Sequence, residues 1–147
     1  MKKYRINFVG DPLSGSSDNL SSSFVRDNIT FLAFNQIFPF IDKEEEMIKA
    51  IKTIKSLNPD NFLIVSLHWD EEYKLINSPA QQRLAHKIIE AGADLMIGHH
   101  PHVVQKIEKY QGKLIFYSLG NFIFDQYFSP DTQQGLAVGL EIYPDRL

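Results

Sequence analysis

The chain of 147 residues contains no cysteine. Disulfides, thiolate metal sites and cysteine nucleophiles are therefore excluded, and a cysteine-free chain tolerates either redox compartment. There is no long basic run, and 15 Lys and Arg against 18 Asp and Glu leave a net charge of −3. Nucleic acid and anionic membrane are poor partners for such a balance. Long apolar runs are also missing. The stretch after the basic Met1-Lys2-Lys3-Tyr4-Arg5 ends at Val9, whereas a signal peptide needs a longer apolar region and a spanning helix about 20 such residues. The reading is a soluble chain with no membrane segment and no targeting signal. Internal repeats, low-complexity tracts and linkers are absent too. What is present, 44% hydrophobic and 22% charged residues, is ordinary globular composition. A domain of this size buries about 68–70% of its extended-chain surface.

Along the chain, Ile6 to Val9 reads as a short strand and the polar stretch Gly10 to Asp27 as a loop. Ile29 to Phe34 is strongly β-prone. Asp42 opens a helix with Glu44, Glu45 and Glu46 in its first turn, where the helix dipole favours acids. Met47, Ala50, Ile51, Ile54 and Leu57 form its buried stripe. Phe62 to Leu67 is apolar on both faces, as a central parallel strand is, and His68 follows at its end. Ser78, Pro79 and Gln81 supply an N-cap, a first helical proline and a capping box. That helix runs to about Ala91 with Gly92 as its stop. Ala93 to Ile97 is a second apolar strand ending in Gly98-His99-His100-Pro101-His102. Residues 62–98 therefore predict a parallel strand–helix–strand unit. Such a unit brings His68 and the 99–102 cluster to one carboxyl edge of a sheet, where open α/β sheets bind ligands. Val104 to Tyr110 and Lys113 to Ser118 read as a hairpin turning at Gln111-Gly112, and Gly135 to Tyr143 as a final strand.

His100 and His102 are two apart, so extended backbone would turn both to one side and His99 away. Pro101 biases His100 towards that backbone. Three imidazoles on one edge would repel if protonated and need partners if neutral; a metal answers both, and His68, His100 and His102 are read as metal ligands. Turn geometry at His99 could override the alternation. Glu72 reads either as a site carboxylate or as part of a solvated acidic loop with Asp70 and Glu71. Trp69 and Tyr73 read as packing residues or a wall for substrate. Asn121, at another strand end, reads either as a hydrogen-bonding group for substrate or a ligand histidine, or as a turn former. His86 falls opposite the apolar side of its helix and reads as an ordinary surface group. Asp11, in Gly10-Asp11-Pro12, reads as a turn residue.

These residues resemble a known family. Ser66-Leu67-His68-Trp69 with Glu72-Tyr73, the helix from Pro79 through Gln82 to Gly92-Ala93-Asp94, Gly98-His99-His100-Pro101-His102-Val103, and Tyr117-Ser118-Leu119-Gly120-Asn121-Phe122 with Phe124-Asp125 resemble four ordered blocks of the CapA family of capsule (poly-γ-glutamate) synthesis proteins. The order and spacing agree from about residue 28 to residue 143. That family is similar to the calcineurin-like metallophosphoesterases. The resemblance implies an α/β fold: part of an αββα sandwich of two sheets flanked by helices, with a two-metal centre. It implies His68, His100 and His102 as ligands to divalent metal (Mn, Fe or Zn), with Glu72 and Asn121 lining the site in catalytic roles. Asp70 stands where the family usually has glycine. Family members run to about twice this length, and their first-half aspartate, glutamate and Asn-His pair are not recognisable here. Residues 1–147 are accordingly expected to be the C-terminal part of such a domain, its N-terminal half missing.

The implied activity is metal-dependent hydrolysis of a phosphoester or amide in a cell-surface polymer or its precursor, by a protein of the cell envelope or outside the cytoplasm, with other capsule-synthesis proteins as partners. The alternative is a non-catalytic component of polymer assembly or export whose histidine site is structural or vestigial.

Overall fold

A computed structural model of the chain describes residues 21–26, 28–37 and 44–143. The Ile6–Val9 strand, the Asp11 turn and the Asp42 helix start lie outside the described residues.

Six strands and two α-helices follow in the order β1 (Ser21–Arg26), β2 (Ile29–Asn35), α1 (Glu44–Leu57), β3 (Phe62–His68), α2 (Pro79–Glu90), β4 (Leu95–His99), β5 (Ile107–Tyr110) and β6 (Lys113–Phe116). All six strands join one sheet in the order β1-β2-β3-β4-β6-β5. β2, β3, β4 and β6 are parallel, and β1 and β5 close the two edges antiparallel. The parallel β3–α2–β4 unit is formed as its double-sided apolar strands predict.

The two helices pack on one face. Met47 and Ile51 of α1 and Leu84, Ala85 and Ile88 of α2 meet Leu32, Leu63, Val65, Leu67, Met96 and Ile115 of the sheet. The alternate strand residues Ile64, Leu95 and Phe116 form a smaller cluster on the other face, with Leu136 and Val138 packed against it. The end of the sheet away from the histidines is pinned by Asp94. Its carboxylate accepts from Leu63 N at 3.0 Å and Lys55 Nζ at 2.9 Å and also pairs with Lys113. Burial raises the Asp94 pKa, but those donors outweigh it and hold it below the usual carboxylate range.

The start of α2 follows its sequence signals: Ser78 Oγ accepts from Gln81 N at 3.1 Å, and Gln81 Oε1 accepts from Ser78 N at 2.8 Å. A cap of this kind is worth about 1 kcal/mol. Gln111 and Gly112, at φ +49° and +80°, supply the left-handed pair that a tight hairpin turn requires.

Three expectations need correction. Ser21–Arg26, expected as loop, is a strand, because its backbone pairs with β2 across a two-residue connection in the register Arg26↔Ile29 to Ser21↔Phe34; ladder formation overrides the weak β-preference of serine. Gly135 to Tyr143 is not a strand. It makes one bridge, Gly120↔Gly135, and no ladder follows among the described residues, since an apolar pattern makes a strand only where a partner backbone lies alongside. Leu57 is 70% exposed rather than part of the buried stripe of α1, standing in the helix's last turn beyond the sheet.

Candidate metal centre

The site begins with strand register. Asn35, His68 and His99 are laterally paired at the carboxyl ends of β2, β3 and β4. From there the chain after β3 and the chain after β4 rise side by side. Trp69, 1% exposed, is buried beneath them and donates from Nε1 to Tyr117 O at 3.1 Å. Gly98 makes this possible: a Cβ there would meet Tyr117 O at 2.0 Å and Trp69 Nε1 at 2.7 Å. Trp69 N donates to His99 O and Tyr73 N to Pro101 O, at 3.1 and 2.8 Å, so the two loops are tied to each other by backbone.

Four of the five non-glycine residues with positive φ among the described residues stand in these loops: Asp70 (+65°), Tyr73 (+62°), His100 (+99°) and His102 (+58°). Such backbone costs about 1–3 kcal/mol per residue and persists where the surroundings enforce it. Asp70 thus occupies a left-handed position that suits the glycine of the resembling family. His100 and His102 do not converge by the alternation of extended backbone. Both lie in the left-handed region, and it is this tight turn around Pro101 that brings their rings to a centroid distance of 5.8 Å.

Glu72, His100 and His102 each offer one ligand atom within 4.8 Å of the others. His102 Nε2 lies 3.7 Å from Glu72 Oε1. His68 is at the rim of this group, its ring centroid 4.6 Å from that of His100, but it does not enter the group of three. Burial, followed by the neighbouring histidines, brings the His68 pKa down to about 4; burial also lowers His100 and His99. His68 is therefore neutral at pH 7, with a lone pair available. His99 is partly buried at the end of β4 and is not among the converging ligands.

His102 Nδ1 contacts Asn121 Oδ1 at 2.8 Å. The Asn121 amide nitrogen is committed to Thr132 O at 2.9 Å and Gln126 Oε1 at 3.2 Å. A backbone carbonyl only accepts, so the amide orientation is fixed and Nδ1 of His102 carries a proton, which leaves Nε2, 3.7 Å from Glu72 Oε1, as the nitrogen available to a cation. Tyr73 stacks on His102 with centroids 5.9 Å apart, and Phe124 stands 5.0 Å from the same ring. One side of the cluster is thus walled by aromatic rings.

Two imidazole nitrogens and one carboxylate oxygen can coordinate a metal ion. That His100 and His102 come together at one sheet edge was legible from sequence. Gln126 and Thr132 were not, because nothing in the polar residues of an aromatic-rich loop marks them before the fold brings them to Asn121. His86 lies outside the site, yet it is more than a surface group: Nε2 is 2.8 Å from Glu108 Oε1, and the ring stacks on Tyr110 at 3.7 Å.

The sequence profile of the bacterial capsule synthesis protein PGA_cap matches residues 6–126. The capsule biosynthesis protein CapA of Bacillus anthracis is 48% identical over 92 residues, which cover 63% of this chain and 22% of that protein. The PGA biosynthesis protein CapA of Bacillus subtilis strain 168 is 50% identical over 77 residues, 52% of this chain and 20% of the relative. A probable polyglutamine synthesis accessory protein of Mycobacterium tuberculosis is 34% identical over 76 residues, 52% of this chain and 20% of that protein. The chain spans only about a fifth of the length of these curated relatives. With a profile match over most of its residues, the chain belongs to the bacterial capsule synthesis protein PGA_cap family.

Proposed function

We propose that this chain carries the histidine side of a metal-dependent hydrolase site in a CapA-type protein of capsule or poly-γ-glutamate biosynthesis, acting on a phosphoester or amide of a cell-surface polymer or its precursor. The observation that carries this reading is the convergence of Glu72, His100 and His102 within 4.8 Å at the carboxyl edge of a parallel sheet. His100, His102 and Glu72 hold the ion, His68 is poised beside His100 as a further ligand, and Asn121 orients His102. A divalent ion held there supplies Lewis acidity and an activated water near neutral pH. The aromatic wall of Tyr73 and Phe124 orients substrate and limits water on that side. The larger architecture is then a calcineurin-like αββα sandwich, to which the described sheet and its two helices contribute. The expected location is the cell envelope, with other capsule-synthesis proteins as partners.

A second reading, a non-catalytic component of polymer assembly or export, is favoured by the similarity to a probable polyglutamine synthesis accessory protein of Mycobacterium tuberculosis. Purified protein dialysed against Mn, Fe or Zn and assayed on a chromogenic phosphodiester separates the two. Metal-dependent turnover that disappears in His100→Ala supports the hydrolase; bound metal without turnover on phosphodiester or polyglutamate supports the assembly component.

A further inference from the structure

The segment 122–128 is aromatic and outward-facing. Phe122, Phe124, Tyr127 and Phe128 are all exposed, and Gln126 is the single residue of the seven that is not. Its side chain turns inward between two residues of the site. Gln126 Oε1 accepts from Asn121 Nδ2 at 3.2 Å, and Gln126 Nε2 donates to Tyr73 Oη at 2.9 Å. Its backbone is held as well: the hydroxyl of Thr132, 1% exposed, donates to Gln126 O at 2.7 Å.

We propose that Gln126 is a positioning residue for the ligand histidine His102, acting on it through its hydrogen bond with Asn121 and through Tyr73, whose ring stacks on His102 at 5.9 Å. This rests on the reading of Glu72, His100 and His102 as a metal site.

The direction of each bond follows from donor and acceptor chemistry. Thr132 O fixes the Asn121 nitrogen, which leaves Asn121 Oδ1 for His102 Nδ1–H. The second Asn121 hydrogen needs an acceptor, so Gln126 presents its oxygen there and its nitrogen to Tyr73. The Tyr73 oxygen, now an acceptor, keeps its own proton for a different neighbour. The donors therefore run in one direction from His102 through Asn121 and Gln126 to the Tyr73 oxygen. Nε2 of His102 is the nitrogen left for the cation. The amide at position 126 accepts from asparagine and donates to tyrosine at once. A carboxylate would accept from both Asn121 and the Tyr73 hydroxyl, reversing the second bond; an apolar side chain would cut the connection.

The test compares wild type with Gln126→Glu and Gln126→Leu. Both alter a partly exposed loop residue, and unchanged circular dichroism checks folding. In metal-free protein, ¹⁵N spectra of the His102 ring and the ¹³Cζ resonance of Tyr73 report the two arms directly. The expected wild type shows a single Nδ1–H tautomer at His102. Gln126→Glu shifts the Tyr73 resonance and keeps that tautomer; Gln126→Leu shifts Tyr73 and mixes the tautomers. With Mn or Zn titrated by calorimetry, each variant loses about 10–100-fold in affinity, the usual cost of an outer hydrogen-bond partner. Unchanged His102 and Tyr73 signals in folded variants overturn the positioning role whether or not metal binds. If wild type takes up no metal while those signals still move, the metal reading fails and the positioning role stands.

Discussion

His102 Nδ1 lies 2.8 Å from Asn121 Oδ1, and this contact decides which ring nitrogen remains for a cation. Asn121→Leu removes the acceptor and lets the imidazole choose either tautomer. The expected result is a metal affinity lower by about 10–100-fold, measured by calorimetry. Asn121→Asp keeps an acceptor for Nδ1 but sets a carboxylate oxygen against Thr132 O, so its loss should be smaller. Equal affinities in wild type and Asn121→Leu would show that His102 is not a ligand.

His100 and His86 should separate function from stability. His100→Ala removes a ligand and should cost more affinity than loss of an outer partner does. His86→Ala leaves metal affinity unchanged but lowers stability by about 1–2 kcal/mol, since it removes the bond to Glu108 and the stack on Tyr110. Denaturant unfolding and metal titration of both variants check the pair. A larger affinity loss in His86→Ala would reverse the assignment.

The βαβ unit, the helix caps and the histidine edge were legible in the sequence because each rests on local chemistry. Double-sided apolar strands mark parallel pairing, and Ser78-Pro79-x-Gln81 specifies a helix start with a few side chains. Non-local pairing was harder to read. Ser21–Arg26 is a strand because β2 lies beside it, and Gly135 to Tyr143 is not one because no ladder forms. At the site, sequence alternation brought His100 and His102 together by the wrong route. The structure uses two left-handed residues about Pro101, a conformation that residue type does not announce for histidine. Gln126 and Thr132 acquire their roles only from the return of the 121–134 segment upon itself.

Gly98→Ala should be among the most damaging single changes in the sheet. The added methyl would stand 2.0 Å from Tyr117 O and 2.7 Å from Trp69 Nε1. The first is backbone and cannot rotate away, so the β4–β6 spacing must open and the Trp69–Tyr117 bond with it. Overpacking of this kind costs about 1–3 kcal/mol, and an unpaired buried indole N–H adds about 1–3 kcal/mol. Chemical denaturation with tryptophan fluorescence follows both, since Trp69 is the chain's single tryptophan. A midpoint equal to wild type would refute the close approach.

Stability should fall in acid through Glu108 and Asp94. Burial raises Glu108, but the groups around it, His86, Tyr117, Gln82 and Lys106, outweigh that and bring its pKa from 4.5 down to about 2. A folded pKa below the unfolded one means that the unfolded chain takes up the proton first. The contribution is therefore complete above pH 4.5 and is lost as pH falls from there towards 2. Asp94, also depressed, acts in the same direction. In metal-free protein His68, lowered from 6.5 to about 4, adds an earlier loss between those values. Thermal melts from pH 7 to 2 should show both phases. Glu108→Gln should flatten the lower one, and an unchanged lower phase in that variant would exclude Glu108 as its source.

Metal binding by this chain should reach one ion rather than two. Among the described residues the converging set is two neutral imidazoles and one carboxylate, which leaves a divalent ion with one net positive charge and an open coordination position. A second ion a few ångströms away would add two more positive charges with no further carboxylate in the set to offset them. His68, neutral at pH 7, extends the ligand count but not the negative charge. Occupancy should also depend on pH, because a protonated imidazole cannot ligate; affinity falls as acid protonates the ligand histidines, with burial holding His100 below the ordinary histidine range. The same ion stabilises the fold by mass action, about 2.7 kcal/mol at a free concentration 100 times its Kd. Adding Mn or Zn should therefore raise the melting temperature at pH 7, and less so at pH 5. Elemental analysis after dialysis, paired with melts at the two pH values, is the check. Two tightly held ions per chain would mean that further anionic ligands converge on the site. A melting temperature indifferent to metal at pH 7 would remove Glu72, His100 and His102 as a binding group.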